Sequence, residues 1–188
     1  MDYEHVIALL ETAGNDPRTF NERSVKTLDN LHTETLREIE LVIGKRGRVT
    51  RQARSSKLLI RTERECLVEE FRICNGKRVV RKVGGPFPDM PAIVTVSETA
   101  LKGEAALECI LRGLSQEFKM ELIDSSVIKP HHPYSEPLID YHESTVFADI
   151  DSEYETTWYE WVIPKRFGED TMTIKDYTDE NHLRWIPF

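Results

Sequence analysis

Residues 102–120 of this chain read KGEAALECILRGLSQEFKM. Apolar side chains recur there at spacings of three and four residues, which is the repeat of one face of an α-helix. They are Ala106, Leu107, Ile110, Leu111, Leu114 and Phe118. Gly103 marks a turn before them, and Glu104 suits a helix N-terminus, where the helix dipole favours negative charge. The spacing predicts one helix over residues 103–118, with Leu107, Ile110, Leu111 and Leu114 mostly buried.

Polar residues follow the other side of this predicted helix. Glu104, Arg112 and Gln116 are separated by eight and four residues, which places them near one line along the helix, and Glu117 lies beside that line. Two interpretations are open at this point. The helix either carries a functional cluster, or it is an ordinary amphipathic helix whose charged side faces solvent.

The stretch resembles the box of the Nudix hydrolases, G-x5-E-x7-R-E-U-x-E-E-x-G-U, in which U is a bulky aliphatic residue. Aligned on Arg112, the matching residues are Glu104, Arg112, Leu114, Glu117 and Met120. The departures are Glu98 for the opening Gly, Gly113 for the Glu after Arg, Gln116 for the first Glu of the pair and Lys119 for the closing Gly. Two of the three carboxylates that carry most of the family's metal binding are therefore replaced, and Glu117 is left.

The resemblance implies an α+β protein, an α/β/α sandwich with a mixed β-sheet over residues 57–188, with N-terminal helices added. Residues 1–56 would form a helical extension that ends in a basic segment. In the family the position of Glu104 tends to serve structure together with Arg112. A Mg²⁺ ion prefers hard oxygen ligands; a neutral Gln amide is a much poorer ligand than a carboxylate, and a Gly side chain supplies none.

Three functions are open on these grounds. The first is a non-catalytic Nudix-like domain, a pseudoenzyme, that binds a nucleotide-type ligand or a protein partner, with Arg112, Gln116 and Glu108 as candidate ligand-binding residues. The second is a Mg²⁺- or Mn²⁺-dependent hydrolase of a nucleoside diphosphate derivative. Its catalytic and metal residues would be Glu117 and Glu104, helped by Glu108 or by acidic residues at 149–155. The third is association with RNA.

The RNA hypothesis rests on residues 45–64, which we call the basic strip. It has eight Lys or Arg residues in twenty positions and a single acid, Glu63. Such a strip is typical of a phosphate-contacting surface. No aromatic residues interleave with the basic ones for base stacking, so the alternative is a solvated segment that pairs with thirteen acidic residues at 136–180. We predict contacts between these two regions.

Composition sets broader limits. The chain has 188 residues, 39% of them apolar, which suits one domain or one domain with an extension. The net charge of −8 disfavours a general nucleic-acid binder or a protein of anionic membrane surfaces. The sequence has neither a run of membrane-spanning length nor the basic start of a secretory signal. We expect a cytoplasmic protein without membrane association.

Local patterns predict the remaining elements. Helices are expected over 2–13 and 21–43, with Thr33 capping a restart. Asn75-Gly76 predicts a hairpin turn between two β-rich runs, because both residues tolerate positive φ. The predicted strands are 66–73, 77–83, 92–96, 121–128, 145–150 and 157–163. The terminal residues NHLRWIPF should dock on the domain, since their apolar side chains would otherwise be exposed.

Two further groups could bind a metal. Asp149, Asp151, Glu153 and Glu155 occupy alternate positions, so an extended chain would point all four carboxylates one way, although the polar side of a strand explains the pattern equally well. His131 and His132 are adjacent and would point apart, so a surface loop is expected there. The three cysteines lack the spacing of a disulfide framework or a zinc site, and Cys109 is expected to be a buried thiol.

Overall fold

The structure is a computed structural model that describes residues 1–74, 76–80, 95–120, 123–131, 136–176 and 179–187, with backbone alone at 175, 176 and 179. These residues form four α-helices and ten strands of one mixed sheet. The helices are α1 Tyr3–Thr12, α2 Pro17–Arg23, α3 Leu28–Arg37 and α4 Ala106–Phe118. The strands are β1 Ile39–Ile43, β2 Val49–Arg61, β3 Glu65–Cys74, β4 Lys77–Val79, β5 Val96–Thr99, β6 Ile128–Pro130, β7 Leu138–Glu143, β8 Asp151–Val162, β9 Thr171–Asp176 and β10 Asp179–Pro187.

Strand β2 is the centre of the sheet. One edge pairs in parallel with β8 along its full register, from Thr50 opposite Asp151 to Arg61 opposite Val162. The other edge pairs in turn with β1, β5 and β3, all antiparallel. The main path of the sheet is β6-β8-β2-β3-β10-β9, and the chain is therefore a mixed α/β protein with a large mixed sheet.

Two apolar cores lie against β2. Val49 and Ala53 pack with residues of α1, α2 and α3, whereas Leu58 and Ile60 pack with α4 and β10. Because side chains alternate between the faces of a strand, the odd-numbered and even-numbered pairs indicate opposite faces. Strand β2 also runs without interruption through residues 56 and 57, where the sequence suggested a division between two regions.

The basic strip is largely this central strand, so its description as a solvated segment was wrong. The contacts with the acidic 136–180 region are confirmed in part: Arg48 Nη2 lies 2.9 Å from Glu143, and Arg61 Nη2 lies 3.0 Å from Glu160. Arg51 instead pairs with Glu34 of α3. Parallel pairing with β8 is the reason, because it brings the two oppositely charged segments side by side.

The N-terminal region is helical over a shorter range than predicted. Helix α1 is confirmed, but residues 39–43 form strand β1 and not the end of a helix. The apolar residues of IELVI fit both spacings, and the Gly44–Gly47 turn, in which Gly47 has φ 71°, folds this segment back on β2. Thr27, not Thr33, caps α3, accepting a hydrogen bond from the Asn30 N–H.

Other strand predictions also need correction. Residues 125–127 form a 3₁₀ turn, so among the described residues of the predicted 121–128 strand only Ile128 belongs to a strand; residues 121–122 lie outside the described chain. Residues 145–150 form turns, with φ 57° at Asp149, because the chain reverses between β7 and β8. The 157–163 strand begins six residues earlier, at Asp151. Residues 81–83 and 92–94 of two further predicted strands, and Asn75 of the predicted turn, are not among the described residues, although Gly76 has φ 74°.

The terminal segment docks as predicted. Strand β10 pairs with β3 on one side and β9 on the other, and Leu183 and Trp185 are buried in the second core. Cys109 is buried, and burial raises the pKa of its thiol to about 11. Among the helices of the described residues, none has the length and apolar character needed to cross a membrane.

Candidate functional site

Helix α4 lies unusually close to strand β5. It is confirmed over Ala106–Phe118, with Ile110 and Leu114 fully buried and Leu107 and Leu111 partly buried. Gly113 faces β5: a Cβ atom at this position would lie 2.6 Å from Cγ of Glu98 and 2.7 Å from Cγ1 of Val96. The glycine therefore has a packing role, because any side chain there would force Glu98, Val96 or the helix to shift.

Arg112 links helix α4 by hydrogen bonds to the preceding turn and to strand β5. Its Nε donates to Glu104 Oε1 over 2.9 Å, Nη1 to Glu98 Oε2 over 3.1 Å, and Nη2 to the Thr99 carbonyl over 2.8 Å. Gln116 Oε1 accepts a longer bond of 3.3 Å from Nη1. The hydrogen bond from Arg112 lowers the pKa of Glu104, and the pKa of Arg112 is raised in turn. The alignment of Glu104, Arg112 and Gln116 predicted from spacing is thus present.

Two of the predicted acidic site residues hold the start of the helix. Glu104 Oε2 accepts a hydrogen bond of 2.8 Å from the Leu101 N–H, in addition to the bonds from Arg112. Glu108 Oε2 accepts one of 3.0 Å from the Ala105 N–H, which has no partner within the helix. Both carboxylates therefore carry structural contacts at the N-terminal end of α4.

Glu117 lies at the opposite end of α4 in a different environment. The side chain is buried; Oε1 accepts a 3.0 Å hydrogen bond from Asn181 Nδ2 of β10 and lies 3.7 Å from Arg72 Nη2 of β3. The two candidate metal residues therefore have different partners: Glu104 contacts Arg112 and Leu101, whereas Glu117 contacts Asn181 and Arg72.

Glu117 opens onto a cleft of about 350 Å³. Strands β2 and β5, helix α3, the ends of β3 and α4, and strand β7 contribute its walls. Its charged or titratable lining residues are Lys26, Glu34, Glu38, Arg51, Lys57, Arg72, Glu98, Glu117, Asp140, His142 and Tyr154, and the others are Ser55, Cys74, Val79, Ser97, Thr99, Thr145 and Val146. Its volume is within the range of small-molecule binding sites.

Arg51 is the most deeply placed cation of the cleft. Its Nη2 lies 2.5 Å from Glu34 Oε2, its Nη1 donates to the Tyr154 hydroxyl over 3.0 Å, and its guanidinium lies over the Phe147 ring. Burial alone would lower the pKa of Arg51, but the interactions with Tyr154 and Glu34 outweigh burial and raise it. Arg51 stays charged and ties α3 to the central strand.

The other titratable groups of the cleft are more weakly held. Lys57 Nζ lies over the Trp158 ring at 4.9 Å from its centroid. Burial, together with the nearby Glu34 carboxylate, raises the pKa of Glu38. Asp140 and His142 of β7 lie 3.4 Å apart at the rim. Four Lys or Arg side chains and five carboxylates therefore line one concave surface.

The remaining predicted metal groups lie elsewhere. Asp151 is fully buried, accepts a hydrogen bond from the Tyr141 hydroxyl over 2.5 Å and pairs with Arg48, whereas Glu153 accepts one from Gln52. With Asp149 in a turn, paired with Arg23, the four acids at 149–155 do not form one row. His131 is buried 3.6 Å from Glu160, so the surface loop predicted there is wrong at this residue; His132 is outside the described residues.

The residues that line the cleft fit a divalent cation poorly. Glu117 already accepts a hydrogen bond from an amide and faces the Arg72 guanidinium, and Glu98 is paired with Arg112. Over the described ranges, no group of three or more His, Cys, Asp or Glu side chains is placed to share a metal ion.

Sequence reasoning missed most of this cleft. Arg51 and Lys57 were noted only as members of the basic strip, and Arg72 and Glu38 were not singled out. The six-residue spacing of Arg51 and Lys57 on one strand carries no signature. The signal available was a basic residue at an otherwise buried strand position, as at 51 and 57. No family model matches the chain, and no curated protein is similar enough to match it either.

Proposed function

We propose that this chain is a Nudix-like binding domain that takes a nucleotide-type ligand in the cleft and does not hydrolyse it. The observation that carries the proposal is the convergence of Arg51, Lys57 and Arg72 in one cleft of a protein with a net charge of −8. Guanidinium and ammonium groups are the usual protein ligands of phosphate oxygens, and they are depleted from most buried surfaces.

The arrangement of α4 supports the Nudix-like part of the proposal. The helix follows a strand and a turn, and Glu104 and Arg112 form the structural pair that the resemblance implies. This likeness is limited to the motif and its local contacts. The cleft lies at the end of the helix where the family pattern has two adjacent Glu residues, positions that Gln116 and Glu117 occupy in this chain.

Three observations favour binding over hydrolysis. Gly113 packs directly against the side chains of Glu98 and Val96, so the Glu side chain of the family pattern would clash with them at position 113. Gln116 is exposed and bonded to Arg112. Glu104 and Glu108, the acids proposed as helpers, hold the other end of the helix.

The RNA hypothesis is less well supported by the same contacts. Arg48, Arg51 and Arg61 of the basic strip are engaged with acidic groups of the chain itself. Arg48 and Arg61 would have to give up these ion pairs in order to contact phosphates. Arg51 and Arg72 are also ion-paired, with Glu34 and Glu69, but they lie with Lys57 in one concavity of ligand size.

Calorimetric titration of the full-length protein with ADP and with adenosine tests the binding proposal. We expect ADP to bind and adenosine, which lacks the diphosphate, to bind at least about tenfold more weakly, because one tenfold step corresponds to the loss of a single charged contact. Equal affinity for the two compounds, or no binding of ADP, would contradict the proposal.

Hydrolysis is tested separately. ADP-ribose is incubated with the protein and Mg²⁺ or Mn²⁺, and AMP formation is followed by chromatography. We expect turnover far below the roughly 1 per second that is ordinary for enzymes. Turnover at that ordinary rate would show that the chain is a hydrolase.

A further inference from the structure

We propose that the phosphates of the ligand bind directly to the Arg72 guanidinium, without a bridging divalent cation. Arg72, which lies beside Glu117, then supplies the positive charge that a metal ion would otherwise supply. This inference rests on the proposed function and adds the means of recognition to it.

Arg72 is held in place from two sides. Its Nη2 donates to Glu69 Oε2 on the same strand over 3.1 Å and lies 3.7 Å from Glu117 Oε1 on α4. Only 16% of its side chain is exposed. Its carboxylate neighbours therefore fix the guanidinium at the wall of the cleft, as preorganised recognition requires.

Arg72 retains hydrogen-bonding capacity. Its Nε–H is buried and has no acceptor among the residues that the structure describes, and the same holds for Nε of Arg51. A guanidinium has five donors in a planar fork that matches two phosphate oxygens at once. A buried donor without an acceptor is uncommon in native proteins. Because Nε itself is shielded, a phosphate in the cleft would contact the guanidinium through its Nη atoms.

The same geometry opposes a metal ion at Glu117. A cation coordinated by this carboxylate would lie within a few ångströms of the Arg72 charge in a poorly solvated site, where like charges repel strongly. The Asn181 amide nitrogen, which donates to Oε1 over 3.0 Å, is not a metal ligand. The carboxylate thus serves to position Arg72 and Asn181, and we describe Glu117 as a positioning residue.

The first experiment measures ADP affinity by calorimetry in EDTA and again in excess Mg²⁺. We expect the affinity in Mg²⁺ to equal that in EDTA or to be weaker, because Mg²⁺ in solution binds the phosphates of ADP itself. Binding that requires Mg²⁺ would overturn this inference and leave the proposed function standing. Absence of binding in both conditions would remove the proposed function and this inference with it.

Two substitutions separate a guanidinium site from a metal site. Glu117→Gln keeps an acceptor for Asn181 but removes the charge that competes for Arg72. In EDTA it should bind ADP more tightly, by up to about tenfold, whereas loss of a metal ligand would weaken binding. Arg72→Gln should weaken binding in EDTA by about tenfold or more, the cost of one charge-assisted contact.

A matched control removes an arginine of the neighbouring strand. Arg184→Gln changes the net charge by the same amount as Arg72→Gln, but Arg184 is half exposed and outside the cleft lining, so its affinity for ADP should stay at the unmodified value. If Arg72→Gln fails to fold because Glu69 and Glu117 lose their partner, Glu117→Gln decides the matter. Weaker binding by Glu117→Gln in the presence of Mg²⁺ and in EDTA alike would contradict the inference.

Discussion

At the scale of single residues, two departures from the Nudix box pattern have structural explanations. Gly113 permits the close approach of α4 to β5. Lys119 occupies the place of the closing Gly and has φ 56°, in the left-handed region that glycine adopts at little cost. Its N–H bonds to the Ser115 carbonyl and the Met120 N–H to that of Leu114, which is the usual hydrogen-bond pattern at a helix end.

Lys119→Gly should stabilise the protein by about 0.5–1 kcal/mol, because relief of the left-handed strain outweighs the greater freedom of glycine in the unfolded chain. Lys119 also bonds through Nζ to the Gln116 carbonyl, an exposed contact of small expected value. Urea unfolding measures the difference. A lower midpoint for the glycine variant would show that this contact matters more than the strain.

Gly113→Ala should destabilise the protein by about 1–3 kcal/mol, although alanine is the better helix former by about 1 kcal/mol. The added methyl group would lie within 2.7 Å of the buried Val96 side chain. Ser115→Ala on the same helix, at a partly buried position, is the control. A stabilised Gly113→Ala variant would mean that α4 can shift away from β5 easily.

This packing also affects how metal binding by the α4 region can be tested. Gly113→Glu with Gln116→Glu would place carboxylates at two of the positions where the sequence departs from the box pattern. Gly113→Glu would also force Glu98, Val96 or the helix to shift. The pair of substitutions would therefore report on packing before it reported on metal affinity, and Glu117→Gln is the cleaner test.

At the scale of elements, Arg112 and its partners attach α4 to the preceding turn and strand. The contribution of the Arg112–Glu104 hydrogen bond to the free energy of unfolding should depend on pH. The hydrogen bond from Arg112 places the pKa of Glu104 below its ordinary value of 4.5. A carboxyl with a lowered folded-state pKa adds stability above its unfolded pKa and loses it as the pH falls through the folded value.

Glu104→Gln should therefore cost about 1–3 kcal/mol near neutral pH, the usual size for a hydrogen bond to a charged group. The difference from the unmodified protein should shrink as the pH falls below about 4.5 and through the lowered folded pKa. Denaturant unfolding of both proteins across this range measures it. A difference that stays constant with pH would show that Glu104 acts by packing alone.

The elements also show what local sequence can reveal. Helix α4 has strong apolar periodicity and its own turn, so its type and buried residues could be predicted. Strand β1 was taken for helix because five residues do not distinguish the two spacings. The sequence interpretation of strand β2 rests on its charge, because its local sequence does not show that β8, about a hundred residues later, pairs with it.

At the scale of the whole molecule, the cleft could not be predicted because its walls come from distant segments. Arg51, Arg72 and Glu117 lie on three different elements, and only the folded sheet brings them together. The same sheet joins the two cores, since β2 contributes Val49 and Ala53 to one and Leu58 and Ile60 to the other. The N-terminal helices and the α4 region should therefore unfold together.

Leu31→Ala tests this coupling. Leu31 is fully buried in the first core, and its truncation should cost about 2–5 kcal/mol. The three tryptophans lie on β8 and β10, with Trp161 and Trp185 in or against the second core. Tryptophan fluorescence and far-UV circular dichroism should therefore shift to the same lower midpoint. Leu36→Ala on the exposed side of α3 is the control. Two separated transitions would instead support an independent N-terminal unit.

The most direct test of the cleft as the functional site compares two substitutions on strand β2. Lys57 lines the cleft and is buried, whereas Arg54, three residues away in the same basic strip, is exposed and outside it. Calorimetric titration with ADP should show that Lys57→Gln binds at least about tenfold more weakly and Arg54→Gln binds as the unmodified protein does. Equal losses in both variants, or a loss confined to Arg54→Gln, would contradict the assignment of this cleft.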